Sequence, residues 1–155
     1  MGITLRTLLT VAVSATPGLA YPADPPAPTP AAAPCTTGSP VVTAGYTIAY
    51  AQALPTIAFS EGYQPDPAWA KSHDVGSYPF GVPQPLETGF AYAQFKCQYY
   101  CNNIPGAGSF FVHYAPTVGG LNSLCSCYDE LLEPEAFVSM NQSLVGAWNH
   151  ICAPE

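Results

Sequence analysis

The chain has 155 residues and a net charge of −7, with 10 acidic side chains against 3 Lys plus Arg and only 8% charged residues in all. That length is enough for one domain. So few cations cannot neutralise a phosphate backbone, which excludes nucleic acid as a partner and argues against an anionic membrane surface.

Residues 1–20 read as a secretory signal peptide, with Arg6 in a short n-region, Leu8 to Ala15 as the apolar stretch and Gly18-Leu19-Ala20 as the small-residue cleavage site before Tyr21. Nothing after it approaches the roughly 20 apolar residues that span a bilayer, so no membrane insertion is expected. The expected location is secreted and extracellular, and Lys71 and Lys96 are then the only Lys or Arg residues left. Residues 21–40 hold seven prolines among Ala, Thr and Ser, too little apolar bulk for a core. They are expected to form a Pro-rich linker or arm that can accept O-linked sugars, followed by a single disulfide-stapled domain over 41–155.

In that domain Val41-Val42-Thr43 and Tyr46 to Tyr50 carry the β-branched and aromatic residues of short strands, and Thr56 to Phe59 forms a separate strand or edge after Pro55. From Glu61 to Glu87 the density of Pro and Gly predicts a long ordered loop. Its aromatics, Tyr63, Trp69, Tyr78 and Phe80, mark either a binding surface or a cap on a core edge.

The one confident helix is predicted over Thr88 to Asn103, with Thr88 as N-cap and Phe90, Ala93, Cys97 and Cys101 recurring at helical steps before Pro105-Gly106. Ser109 to Tyr114 follows as a strand with Phe110, Val112 and Tyr114 on one face, then a Gly119-Gly120 turn and a strand over Leu124 to Tyr128. An acidic stretch from Asp129 to Glu135 comes next, and Phe137 to Trp148 closes the domain.

The even set of cysteines behind a signal peptide, Cys35, Cys97, Cys101, Cys125, Cys127 and Cys152, reads as a disulfide framework. Cys97 and Cys101 share a helix face and Cys125 and Cys127 share a strand face. A helix antiparallel to that strand joins Cys101 to Cys125 and Cys97 to Cys127, leaving Cys35 with Cys152; sequence alone does not fix the connectivity. Four thiolates in CxxxC and CxC spacing also suit zinc, but the oxidising compartment favours disulfides, so no metal and no cofactor are expected.

The run Phe95-Lys96-Cys97-Gln98-Tyr99-Tyr100-Cys101, then Ser109 to Tyr114, then Cys125-Ser126-Cys127-Tyr128, resembles the PAN/apple module of secreted fungal proteins. The resemblance covers about residues 88–131. It departs at Gly106-Ala107-Gly108, where many members carry a cysteine. It implies an α+β fold, one main helix disulfide-stapled to a small antiparallel sheet in a loop-rich domain, and a binding or adhesion role toward protein or carbohydrate with no catalytic apparatus.

Enzyme signatures are missing: there is no GxSxG, HExxH or phosphate-binding glycine loop. His73 or His113 with Asp66, Asp74 or Asp129 would supply an acid–base pair, but no nucleophile motif accompanies them. Asp129, Glu130, Glu133 and Glu135 are numerous enough for calcium, but their spacing is not that of an EF-hand and a solvated acidic face accounts for them. Tyr99, Tyr92 and Trp69 are the candidate binding aromatics, because ring faces serve as platforms for sugars and protein hot spots. Asn141-Gln142-Ser143 is the glycosylation sequon.

The expected function is therefore a secreted, non-catalytic binding module for extracellular glycan or a protein surface. The alternatives are a structural or effector-like secreted protein without a ligand pocket, and a small secreted hydrolase.

Overall fold

The computed structural model describes residues 32–82, 85–117, 120–142 and 144–153; the expected signal peptide and the first part of the expected arm lie outside the described residues. Strands β1 (Val41–Thr43) and β2 (Tyr46–Ile48) make a hairpin in which Thr43 faces Tyr46. Ala44 and Gly45 both take positive φ, 45° and 84°, the pair of left-handed residues that lets a two-residue turn follow strand twist. The expected strand over residues 46–50 is broken at Ala49, whose N–H goes to the Gln98 side chain, and β3 (Tyr50–Gln52) starts after it.

Two expectations for the following region fail. Thr56 to Phe59 lies outside any strand, and the stretch 61–87 is not a loop. It contains β4 (Tyr63–Pro65), the seven-residue helix α1 (Pro67–His73) and the eight-residue strand β5 (Asp74–Gly81). Asp66 caps α1 by accepting the N–H groups of Ala68 and Trp69 at 2.9 and 3.1 Å, and Pro67 sits at a first-turn position where its missing N–H costs nothing. Strand β5 tolerates Pro79 because it is an outer strand with one open side.

Helix α2 (Leu86–Asn102) is the main helix. It begins before Thr88, with Pro85 in the N-cap position, so Thr88 lies in the first turn rather than capping it. Strands β6 (Ser109–Thr117) and β7 (Gly120–Tyr128) follow, then a 3-10 turn at Pro134–Ala136, β8 (Phe137–Ser139) and β9 (Val145–His150). Five strands form one antiparallel sheet in the order β3-β9-β6-β7-β5, while β4 pairs with β8 and β1 with β2. The fold is mixed α+β.

Alternation along β6 sends Phe110, Val112 and Tyr114 to one face, as expected, where they pack with Phe90, Ala93, Cys97 and Trp148 under α2. Phe111 points the other way, into a second core with Tyr128, Leu132 and Phe137, against which Trp69 packs. Trp148 Nε1 donates to Gln94 Oε1 at 3.1 Å, which satisfies both polar groups inside the first core.

All six cysteines are oxidised, and Cys35 pairs with Cys152 as expected. The other two pairs are corrected: Cys97 bonds Cys125 and Cys101 bonds Cys127. The chain reverses from α2 into β6 and again into β7, so β7 runs in the direction of the helix. Two residues of strand and four of helix both advance about 6 Å, which brings the sulfurs into step in that parallel sense.

The end of the arm is also more ordered than a linker. Thr36 forms a parallel bridge with Ile151, donating to His150 O at 2.8 Å and accepting from Cys152 N–H at 3.0 Å.

Candidate binding face

At 100° per residue, Phe95, Tyr99 and Tyr92 fall on the side of α2 opposite to Cys97, whereas Lys96 and Tyr100 fall on the flank toward β5. Hydrophobic periodicity places Cys97 and Cys101 inward, and of these five residues Phe95 and Tyr100 also pack against the first core. Four of the five members of this outer arc are aromatic. Tyr99 is 56% exposed; Phe95, Tyr92, Lys96 and Tyr100 are half-buried against neighbours on the two flanks.

On one flank stands Tyr46 of the β1–β2 hairpin, 5.9 Å from the Tyr92 ring and 5.2 Å from Phe95, and Phe95 in turn meets Tyr99 edge to face at 4.9 Å. Gln98 holds that hairpin in place. Its amide accepts from Ala49 N–H at 2.8 Å and donates to Thr47 O at 2.9 Å, although its side chain is buried. On the other flank Tyr78 of β5 stacks on Tyr100 at 5.3 Å and on Phe80 at 6.0 Å. Lys96 bridges the two groups, its Nζ 4.7 Å from the Phe80 ring centroid and 6.0 Å from that of Tyr92.

The expected binding residues thus separate. Tyr92 and Tyr99 share the arc. Trp69 does not: it is half-buried on α1 between His73, at 4.7 Å, and Tyr128, at 5.1 Å, and closes the second core. Tyr78, one of the aromatics expected to mark a binding surface or a core cap, joins the face, and so do Tyr46 and Lys96, whose place on it depends on neighbours from other elements. Asn141, the expected glycosylation site, is exposed; Ser143 of its sequon lies outside the described residues.

The possible acid–base pair exists in part. His73 Nδ1 lies 2.9 Å from Asp129 Oδ1, and Asp129 N–H donates to His73 O at 3.0 Å. Among the described residues no hydroxyl is hydrogen-bonded to the imidazole: Ser72 Oγ donates to Trp69 O, and Ser77 Oγ donates to Asp74 Oδ2. The pair ties α1 to the end of β7. His113, half-buried on β6, has its pKa lowered by desolvation, with Nδ1 lacking a partner. Cys97, Cys101 and Cys125 are grouped closely enough to ligate a metal, but their sulfurs are committed to disulfides.

One shallow concavity of about 390 Å³ opens between Pro55, Ile57 and Phe59 on one side and Pro134 and Phe137 on the other. It offers apolar walls and the single carboxylate of Glu135. Among the described residues no helix is long and apolar enough to cross a membrane.

Comparison with protein-family models, with curated proteins and with solved structures finds no match for this chain. The three disulfides are consistent with an extracellular protein.

Proposed function

We propose that this protein is a secreted, non-catalytic extracellular binding module of PAN/apple-like type that recognises glycan, or a protein surface, through the outer arc of α2. The observation that carries this reading is the arc itself. A solvent-facing helix side normally carries charged and polar residues, whereas here exposed Tyr99 and, from β5, exposed Tyr78 stand beside half-buried Tyr92, Phe95 and Tyr100, and an aromatic patch of this kind supports an interaction site. Tyr and Phe rings give flat, weakly polar platforms that pack on the faces of sugar rings or fill the centre of a protein interface.

The PAN/apple resemblance is supported by a cysteine-bearing helix packed on an antiparallel sheet, by the aromatic strand after it and by disulfides from the helix to a later strand. Export through a cleaved signal and a glycan at Asn141 belong to the same reading. The hydrolase alternative draws on the His73–Asp129 contact, but among the described residues no hydroxyl nucleophile is hydrogen-bonded to the pair, which leaves it little to act through.

The test is retention of the secreted protein on a panel of insoluble polysaccharides, compared between wild type and Tyr99→Ala. An exposed ring contributes little to folding, so the variant should keep its melting temperature and lose retention by about tenfold, as removal of a hot-spot aromatic does. Equal retention of the two proteins, or none of either, would defeat the proposal.

A further inference from the structure

We infer that Tyr78 and Tyr100 form an oxidative modification site, at which a peroxidase couples the two phenols into a dityrosine that links β5 to α2. The inference is independent of what the outer arc binds. Among the described residues two pairs of tyrosine rings are in contact, Tyr46 with Tyr92 and Tyr78 with Tyr100. The first pair meets edge to face at 5.9 Å and 61°, and both rings are half-buried. The second is stacked, at 5.3 Å and 29°, and Tyr78 is 44% exposed.

Stacking decides between the pairs. The unpaired electron of an oxidised phenol occupies the π system, so the new carbon–carbon bond forms from ring face to ring face. Tyr78 and Tyr100 present faces to each other, whereas Tyr46 and Tyr92 present an edge to a face. Tyr100 Oη donates to Ser77 O at 3.4 Å, which keeps its ring beside the residue that precedes Tyr78. The remaining approach is about 1 to 2 Å, within the thermal motion of a partly exposed side chain.

Competing groups are few. All six cysteines are in disulfides, so no thiol consumes the oxidant or reduces a tyrosyl radical. Tyr50, Tyr114 and Tyr128 are buried away from an oxidant. The ring neighbours of Tyr99 and Tyr63 are Phe95 and Phe137, which have no hydroxyl to oxidise.

Each phenol of the pair gives up one electron and its hydroxyl proton. One molecule of hydrogen peroxide, turned over by a haem peroxidase, accepts the two electrons and two protons and becomes two waters. The radicals join through the carbons beside the hydroxyls, and the hydrogens displaced from those carbons move to the oxygens and restore the phenols. In the product the outer strand β5, paired only with β7, gains a link to α2 that a reductant does not open, unlike the helix's two disulfides.

The full chain is treated with a haem peroxidase and hydrogen peroxide, with N-acetyltyrosine coupled in a parallel reaction as control, and the monomer is read by dityrosine fluorescence and peptide mass mapping. The expected product is a monomer two hydrogens lighter, in which the Tyr78 and Tyr100 peptides are joined. Tyr78→Phe and Tyr100→Phe each keep the ring and should each abolish it. Dityrosine found only in covalent dimers, a monomer link that maps to Tyr46 and Tyr92 or persists in Tyr100→Phe, or no link where the control couples, would overturn the inference. None of these outcomes bears on the polysaccharide retention that tests the binding role.

Discussion

The sulfur of Cys101 lies 3.7 Å from that of Cys125, yet each is bonded to a different partner. Two disulfides therefore sit side by side in the first core, where all four cysteines are fully buried. Together they fix both the position and the direction of α2 on the sheet, since a single bridge would leave the helix free to pivot. Tyr92 and Tyr99 are presented outward because Cys97 and Cys101 are held inward.

That arrangement gives a direct test of connectivity. Cys101→Ala should leave one free thiol in the folded protein, and alkylation followed by peptide mapping should find it at Cys127. Finding the label at Cys125 would restore the antiparallel pairing. By loop closure the lost bridge, with a sequence separation of 26, is worth about 3 kcal/mol, so the variant should also melt earlier.

Gln98 is expected to matter out of proportion to its exposure. Truncation to Ala leaves the Ala49 N–H and the Thr47 carbonyl without their partner and releases the hairpin that carries Tyr46. A cost of about 2 to 3 kcal/mol follows from orphaning part-buried backbone groups, measurable by urea denaturation. A loss below about 0.5 kcal/mol would mean that the hairpin is held by other contacts.

Acid should weaken the fold through His113. Burial lowers its pKa below the ordinary 6.5, so the native state stays neutral while the unfolded chain takes up a proton. Stability is then fully present above about pH 6.5 and is lost as the pH falls toward the lowered native value. His113→Leu, facing Leu124 across the ladder, should flatten that part of the curve of melting temperature against pH. A slope identical to wild type between pH 7 and 5 would assign the acid sensitivity to other groups.

Alkali should act on the buried phenols with the opposite limb. Tyr50 and Tyr128 have pKa values pushed up from 10.0 to about 12 by burial, so the unfolded chain ionises first and stability falls as the pH rises through that interval. Tyr50→Phe should reduce the alkaline loss. At neutral pH it should cost about 1 kcal/mol, because Tyr50 Oη donates to Asn102 Oδ1 at 2.6 Å. Unchanged alkaline unfolding in this variant would remove Tyr50 from the account.

By itself the sequence determined the features that depend on neighbours along the chain. Period and spacing placed α2 and β6 and put Phe110, Val112 and Tyr114 on one face, and cysteine parity foretold the absence of free thiols. The Asp66-Pro67 pair was a readable start signal for α1, hidden only by the proline density around it. Tertiary structure alone decided the rest. Disulfide pairing depended on the relative direction of α2 and β7, set by two reversals rather than by spacing. The fate of Trp69 depended on a core face completed by Tyr128, Leu132 and Phe137. The binding arc is the same kind of case: Tyr46 is far from Tyr92 in the chain and touches it only because a buried amide docks one hairpin on one helix, and such contacts between distant segments leave no periodic mark in sequence.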